Sequence, residues 1–196
     1  MKNLPVRKLN RLKNYDYSQN GAYFITICVE NRAEIFGKIE NNKMVLNKYG
    51  QIVYEEWLKT ESLRRNVKLH EFVVMPNHFH AIIEIKCDVV IVGTRRCLVR
   101  NENNDNPTTG IEKRTRQRLV PTVATVGAIS AIVGSFKSIV SRRMHEIGWF
   151  GKIWQRSFHD HIIRDENDYR RISEYIETNP QKWFDDCFYS DKNLNC

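Results

Sequence analysis

No two cysteines in this 196-residue chain stand in a C-x-x-C spacing. The five that occur, Cys28, Cys87, Cys97, Cys187 and Cys196, are odd in number and scattered, which excludes a zinc ribbon and a full disulfide framework and suits a reducing cytoplasm. No apolar run is fit to cross a membrane. The longest candidate, "VPTVATVGAISAIVGSFKSIV" from Val120 to Val140, carries Lys137, a proline and many Ser, Thr and Gly residues. The start, "MKNLPVRKLNRLKNYDYSQNG", lacks the apolar stretch of a signal peptide. Its spaced Lys and Arg suit either a phosphate-contacting arm or a solvated terminus. Acidic residues are in deficit, 23 against 31 Lys and Arg, and the formal charge of +8 favours a polyanionic partner. These features predict a soluble protein, and the length suits a single domain spanning residues 1–196. Internal repeats are absent.

What is present alternates between sheet and helix signals. "AYFITICV", Ala22 to Val29, is β-branched and aromatic and follows Asn20-Gly21, so it reads as a strand. "EIFGKIENNKMVLN", Glu34 to Asn47, predicts a hairpin turning at Asn41-Asn42. From Lys48 to about Arg65, the spacing of Ile52, Val53, Trp57, Leu58 and Leu63 predicts an amphipathic helix. Strands follow at Val67 to Met75 and His78 to Lys86, separated by Pro76-Asn77. Asp88 to about Thr122 is polar, Asn-rich and basic without steady periodicity, and is expected to be a mobile insertion. Its cluster Lys113, Arg114, Arg116 and Arg118 is either a nucleic-acid contact or a solvated charge run. A helix is predicted from Gly127 to Ile147 with Gly148 as its stop, then a strand over Lys152 to Arg164 and a helix over Asp165 to Pro180. Pro180 is expected to end that helix because it biases Asn179 away from helical dihedrals. This order predicts an α+β sandwich, a mostly antiparallel sheet with helices packed on one face.

The run "FVVMPNHFHAIIEI", Phe72 to Ile85, places two histidines in an otherwise apolar strand. In a strand, alternate residues share a face, so His78 and His80 project together while Phe79 points the other way. Such a pair is either half of a metal site, or one histidine satisfying a buried group beside one in solvent. Ala81 and Ile82 exclude the H-x-H-x-D-H motif of metallo-β-lactamases and a histidine triad. A second pair, His159 and His161, has the same spacing. Its intervening Asp160 would face the apolar layer at a cost, so it ranks behind the first, with surface or DNA-contact roles. On the helix beginning at Asp165, Tyr169, Ile172 and Ile176 form the packing face. Tyr175 sits on its flank, with Arg171 one turn earlier and Asn179 one turn later. Tyr175 is either a half-buried helix tyrosine or a nucleophile.

"VVMPNHFHAIIEI", "WQRSFHDHIIR" and "DYRRISEYIETNPQKW", in that order, together with "RLKNYDYSQNGAYFITICVENR", resemble the single-tyrosine transposases of the HUH class, in particular the REP-associated branch. The resemblance covers most of the chain outside about Asp88 to Val120. It implies a ferredoxin-like sheet carrying the histidine pair and a divalent metal, Mg2+ or Mn2+, that binds the scissile phosphate. It also implies a helix presenting a tyrosine that forms a 5'-phosphotyrosine during cleavage and strand transfer. Residue by residue, His78 and His80 match the metal-binding pair, Tyr175 the nucleophile and Asn179 a further metal ligand, while His161 matches a recurrent histidine without an assigned role. Arg171 joins Lys113, Arg114, Arg116 and Arg118 as candidate nucleic-acid contacts. Single-stranded DNA with hairpin ends is the implied partner, and a homodimer is an assembly open to such a protein. The alternative is a domesticated DNA- or RNA-binding module that keeps the fold without cutting.

Overall fold

The computed structural model describes residues 19–86 and 129–189. The N-terminal arm and the expected insertion, with Lys113, Arg114, Arg116 and Arg118, lie outside the described residues, as does the expected start of the second helix at Gly127. The elements run β1 (Gly21–Cys28), β2 (Gly37–Glu40), β3 (Lys43–Leu46), α1 (Lys48–Leu63), β4 (Val67–Val74), β5 (His78–Ile85), α2 (Ile129–Glu146), β6 (His159–Ile163) and α3 (Glu166–Thr178), with a 3-10 helix over Asn179–Asp185. Four strands form one sheet in the order β4-β5-β1-β6, and every pairing in it is antiparallel. The separate β2-β3 hairpin turns at Asn41 and Asn42, both at positive φ (50° and 60°), a conformation that asparagine tolerates better than most residues.

Strict alternation divides the sheet. Tyr23, Ile25 and Ile27 of β1 and Phe79, Ala81, Ile83 and Ile85 of β5 join the main core with α1 and α2. At its centre Trp57, Phe79 and Phe136 meet edge-on or tilted, with ring centroids 4.9 to 5.5 Å apart. Arg143 of α2 reaches Glu56 (2.7 Å) and Glu55 (3.0 Å) of α1, so the two helices are also joined at their polar edge. Asn47 caps α1, its side chain accepting from the Tyr49 and Gly50 amides, and a Cβ on Gly50 would fall 2.1 Å from the Phe36 carbonyl. The α+β sandwich with an antiparallel sheet is therefore as expected, but the helices do not all pack on one face as the sequence suggested: only α1 and α2 share it. The third helix, α3, crosses the other face on a smaller apolar cluster of Ile82, Ile172 and Ile176. That second face carries His78 and His80.

Two boundaries differ from the sequence expectation. The strand expected over Lys152 to Arg164 is confined to His159–Ile163, and Trp154 makes only an isolated bridge to Val29. In the intervening stretch, Lys137 of α2 donates to the Gln155 and Ser157 carbonyls (both 2.8 Å), occupying acceptors that a ladder would use. The helical path also does not end at Pro180. Asn179 keeps helical dihedrals (φ −56°, ψ −43°) and the chain tightens into the 3-10 helix, with proline in its first turn, where no amide donor is needed. Gly148 does stop α2, at φ 93°, with its amide bonded to the His145 carbonyl.

A bulge in β4 anchors α3. Leu69 pairs with Ile83 and Phe72 with Ala81, so His70 and Glu71 together stand opposite Ile82. Both reach one phenol. The Tyr169 hydroxyl donates to Glu71 Oε2 (2.8 Å) and meets His70 Nδ1 at 2.9 Å, while His70 Nε2 lies 3.0 Å from Glu84. Tyr169→Phe strips that oxygen from two half-buried partners. It should lower the unfolding free energy in urea by about 1–3 kcal/mol without changing the helix content seen by circular dichroism; an unchanged urea midpoint would show that the network does not hold α3.

Candidate metal centre and tyrosine cleft

Because β5 alternates, His78 and His80 leave the same side of the strand, and their rings stand 4.5 Å apart between centroids. They are 0% and 1% exposed. Neighbouring polar groups set their orientation. The Asn77 amide nitrogen donates to the Arg32 and Phe188 carbonyls (3.1 and 2.8 Å), which turns its oxygen toward His78 Nδ1 at 2.8 Å. An amide oxygen only accepts, so His78 carries its proton on Nδ1 and presents the Nε2 lone pair. Among the described residues, that atom is buried without a hydrogen bond of ordinary geometry. His80 Nδ1 lies 2.8 Å from Thr26 Oγ1 on the paired position of β1, and its Nε2 points to the Tyr175 hydroxyl at 3.3 Å.

The continued helical turn at Asn179 brings a third polar group inward. Asn179 is 1% exposed; its nitrogen donates to Asp186 Oδ2 (3.2 Å), and among the described residues its oxygen is buried without a hydrogen bond of ordinary geometry. Asp186 follows the 3-10 helix and is held by its own short turn, accepting from the Phe188 amide at 2.9 Å. Arg32 fastens this segment by donating to the Cys187 carbonyl (2.9 Å) and lying 5.5 Å above the Phe188 ring. One donor atom from each of His78, His80 and Asp186 lies within 4.8 Å of the others, so this group can hold a metal ion. Among the described residues, the lone pairs on His78 Nε2 and Asn179 Oδ1 are buried without a hydrogen bond of ordinary geometry, and an ion would satisfy both. Mixed imidazole, carboxylate and amide-oxygen donors suit a divalent cation of intermediate to hard character.

Burial sets the protonation states. It drives His80 down to about 3 and His78 well below the usual imidazole range, with the neighbouring His80 charge adding to the effect on His78. Both rings are therefore neutral at physiological pH, the state in which an imidazole can bind a metal. Tyr175 is pushed up to about 12, first by burial and then by the Asp186 carboxylate, with the Asn179 amide opposing. Without a cation, the phenol stays protonated.

The residues singled out from sequence fall into three groups. His78, His80, Tyr175 and Asn179 are brought together. Arg171 lies beside them, lining with Phe24, His80, His161, Tyr175 and Lys182 a cleft of about 610 Å³. His159 and His161 stand on the same sheet face but are exposed, and His161 is tied to Asp168 (2.7 Å) away from the ligand set. Asp186, Asn77 and Thr26 were not foreseen. Asn77 directly precedes His78 and could have been found as its orienting partner, whereas nothing in the spacing of "WFDDCF" marks Asp186 rather than Asp185.

The same fold is found in a solved structure. A structure of a REP-associated tyrosine transposase bound to a REP hairpin is similar over 88% of this chain and 74% of that one, with a TM-score of 0.52 and 19% identity, a likeness of fold. No family model matches the chain. An uncharacterized protein of Haemophilus influenzae is 36% identical over 191 residues, covering 94% of each chain, and the present chain belongs to the same family as that protein.

With metal removed by chelator, acid should destabilise the protein through the two imidazoles. Unfolding restores their ordinary value near 6.5, so the unfolded chain takes up protons that the folded one refuses. The contribution is complete above about pH 7 and declines as pH falls, for His80 down to about 3. His80→Gln should flatten this dependence in urea titrations, and an equally steep fall would assign it to other groups. In the native protein, calorimetric titration with Mn2+ should show binding lost in His78→Ala, sharply weakened in Asp186→Ala, and about 10- to 100-fold weaker in Asn77→Ala. Wild-type affinity in all three would remove this cluster as the metal centre.

Proposed function

We propose that the protein is a divalent-metal-dependent single-stranded DNA endonuclease and strand transferase, acting through a 5'-phosphotyrosine on Tyr175 as a transposase or REP-associated DNA-processing enzyme. The observation that carries this reading is the Tyr175 hydroxyl, 3.3 Å from His80 Nε2 at the edge of the His78, His80 and Asp186 donor set. A water-activating hydrolase needs no tyrosine there. The ordered sequence motifs and the fold shared with a transposase bound to a REP hairpin support the same class and a hairpin-bearing DNA substrate.

His78, His80, Asp186 and Asn179 would hold Mg2+ or Mn2+, which supplies positive charge to a nonbridging phosphate oxygen and offsets Asp186 beside the phenol. Tyr175 is then the attacking group. Its oxygen bonds to phosphorus as the bond to the 3' oxygen breaks. The phenolic proton passes to solvent, and the departing oxygen takes one up to become a 3'-hydroxyl. No oxidant or ATP enters, and the aryl phosphate ester keeps the energy of the original diester, so a 3'-hydroxyl can displace Tyr175 in the reverse sense. The helix packing at Ile172 and Ile176 fixes the approach of the phenol to the donor set. A phenol with its proton held tightly gives little reaction in the metal-free state.

Labelled single-stranded DNA carrying a hairpin, incubated with protein and Mn2+ or Mg2+, should give an adduct stable to denaturant, abolished by chelator. Peptide mass mapping should place the 5'-phosphate on Tyr175. Tyr175→Phe, which keeps the ring packed by Phe24 and His80, should retain fold and Mn2+ affinity but form no adduct. An adduct in that variant, or one mapping to Tyr169 or Tyr189, would sink the assignment.

A further inference from the structure

The cleft beside Tyr175 extends beyond the metal donors. At about 610 Å³ it falls within the range of small-ligand sites, and its walls divide by chemistry. Phe24 forms an aromatic wall, stacked on His80 (5.2 Å between centroids, 27° between planes) and edge-on to Tyr175 at 6.1 Å. Ile172 continues the apolar surface. The rim carries Arg171, His161 and Lys182. Two of these are fixed by one carboxylate, since Asp168 takes Arg171 at 2.5 Å and His161 at 2.7 Å. A flat apolar ring with a phosphate attached matches this division, the ring against Phe24 and the phosphate toward His80 and the cationic rim. Glu174 also stands on the rim, an acceptor for a base amino group and a deterrent to a second phosphate.

We propose that this cleft is a subsite for one nucleotide of the DNA strand, the one whose 5'-phosphate becomes joined to Tyr175, and that its base stacks on Phe24. The inference rests on the reading of Tyr175 as nucleophile. In-line displacement sets the departing 3' oxygen opposite the phenol oxygen, so the nucleotide that leaves is directed away from α3. The cleft lies largely on the tyrosine's own side: Arg171, Ile172, Tyr175 and Thr178 of α3 line it, and of the donor set only His80 does. It therefore receives the nucleotide that stays. Phe24 selects for the presence of a base, and the cations at the mouth bind the chain as it leaves.

The test uses the full chain with Mn2+ and small product mimics, so it does not depend on cleavage. Calorimetric or NMR titration should show deoxynucleoside 5'-monophosphates binding about tenfold or more tightly than 2-deoxyribose 5-phosphate, which lacks the base. They should also bind more tightly than the corresponding 3'-monophosphates. Phe24→Leu should reduce 5'-monophosphate binding to the level of the sugar phosphate and leave the sugar phosphate itself unchanged. Equal affinity with and without the base in the wild type, a preference for 3'-monophosphates, or no binding of either mimic overturns the subsite, whatever the fold of the Phe24 variant. Tyr175→Phe should keep the increment due to the base. A retained increment with no covalent adduct in the wild type would refute the nucleophile and not the nucleotide cleft; an adduct without the increment would do the reverse.

Discussion

Two imidazoles withdrawn from water can be kept only as neutral bases whose N–H groups are occupied, and much of the second face of the sheet is built around that constraint. Desolvation holds His78 and His80 unprotonated, and Asn77 and Thr26 occupy their Nδ1 positions. What remains among the described residues is the His78 Nε2 lone pair, buried without a hydrogen bond of ordinary geometry, and beside it His80 Nε2, 3.3 Å from the Tyr175 hydroxyl. Leaving such acceptors unpaired costs about 1–3 kcal/mol each in ordinary protein interiors. Their retention beside a buried amide oxygen and a carboxylate is therefore a feature of binding chemistry and not of core stability. The main core, on the opposite face around Trp57, Phe79 and Phe136, supplies the stability that permits it.

The same alternation that creates the histidine pair made much of the fold legible. Period-two patterning in β1 and β5 and period-3.6 patterning in α1, α2 and α3 located these elements within a few residues, because one face of each is buried and the register is thereby fixed. The β4 bulge was not anticipated, since Val67 to Met75 read as one unbroken strand; it falls where alternation lapses between Leu69 and Phe72. Local signals failed where long-range partners decide the backbone. The stretch from Lys152 to Phe158 has strand composition, but Lys137 from α2 takes its carbonyls, and only one bridge to Val29 forms. At Asn179 the proline rule gave way because Trp183, 2% exposed, is drawn into the interior by a continued helical path.

That path also explains which part of the candidate site could be read in advance. His78, His80 and Tyr175 lie on regular elements, where spacing translates directly into direction. Asp186 lies past the 3-10 helix, and its position depends on Arg32 and Asn77, more than a hundred residues away in sequence. No periodicity connects those residues, so a single sequence contains the group but not the reason it is placed. His161 illustrates the converse: it shares a motif spacing with the first pair, yet on an edge strand it stays exposed and pairs with Asp168.

Asn77 joins these two kinds of information. Its oxygen fixes the His78 tautomer, while its nitrogen holds the Arg32 and Phe188 carbonyls and hence the segment that carries Asp186. One side-chain amide thus couples the orientation of His78 to the docking of the segment that carries Asp186. An aspartate there would accept from His78 but could not donate to the two carbonyls; a leucine would do neither. The coupling makes the donor set cooperative in a structural sense: loosening the C-terminal segment frees Asn77 to rotate, and a rotated Asn77 would present its nitrogen to His78 and favour the wrong tautomer. The geometry of the site is therefore a property of the strand, the tyrosine helix and the C-terminal segment held together, and not of the H-x-H motif by itself.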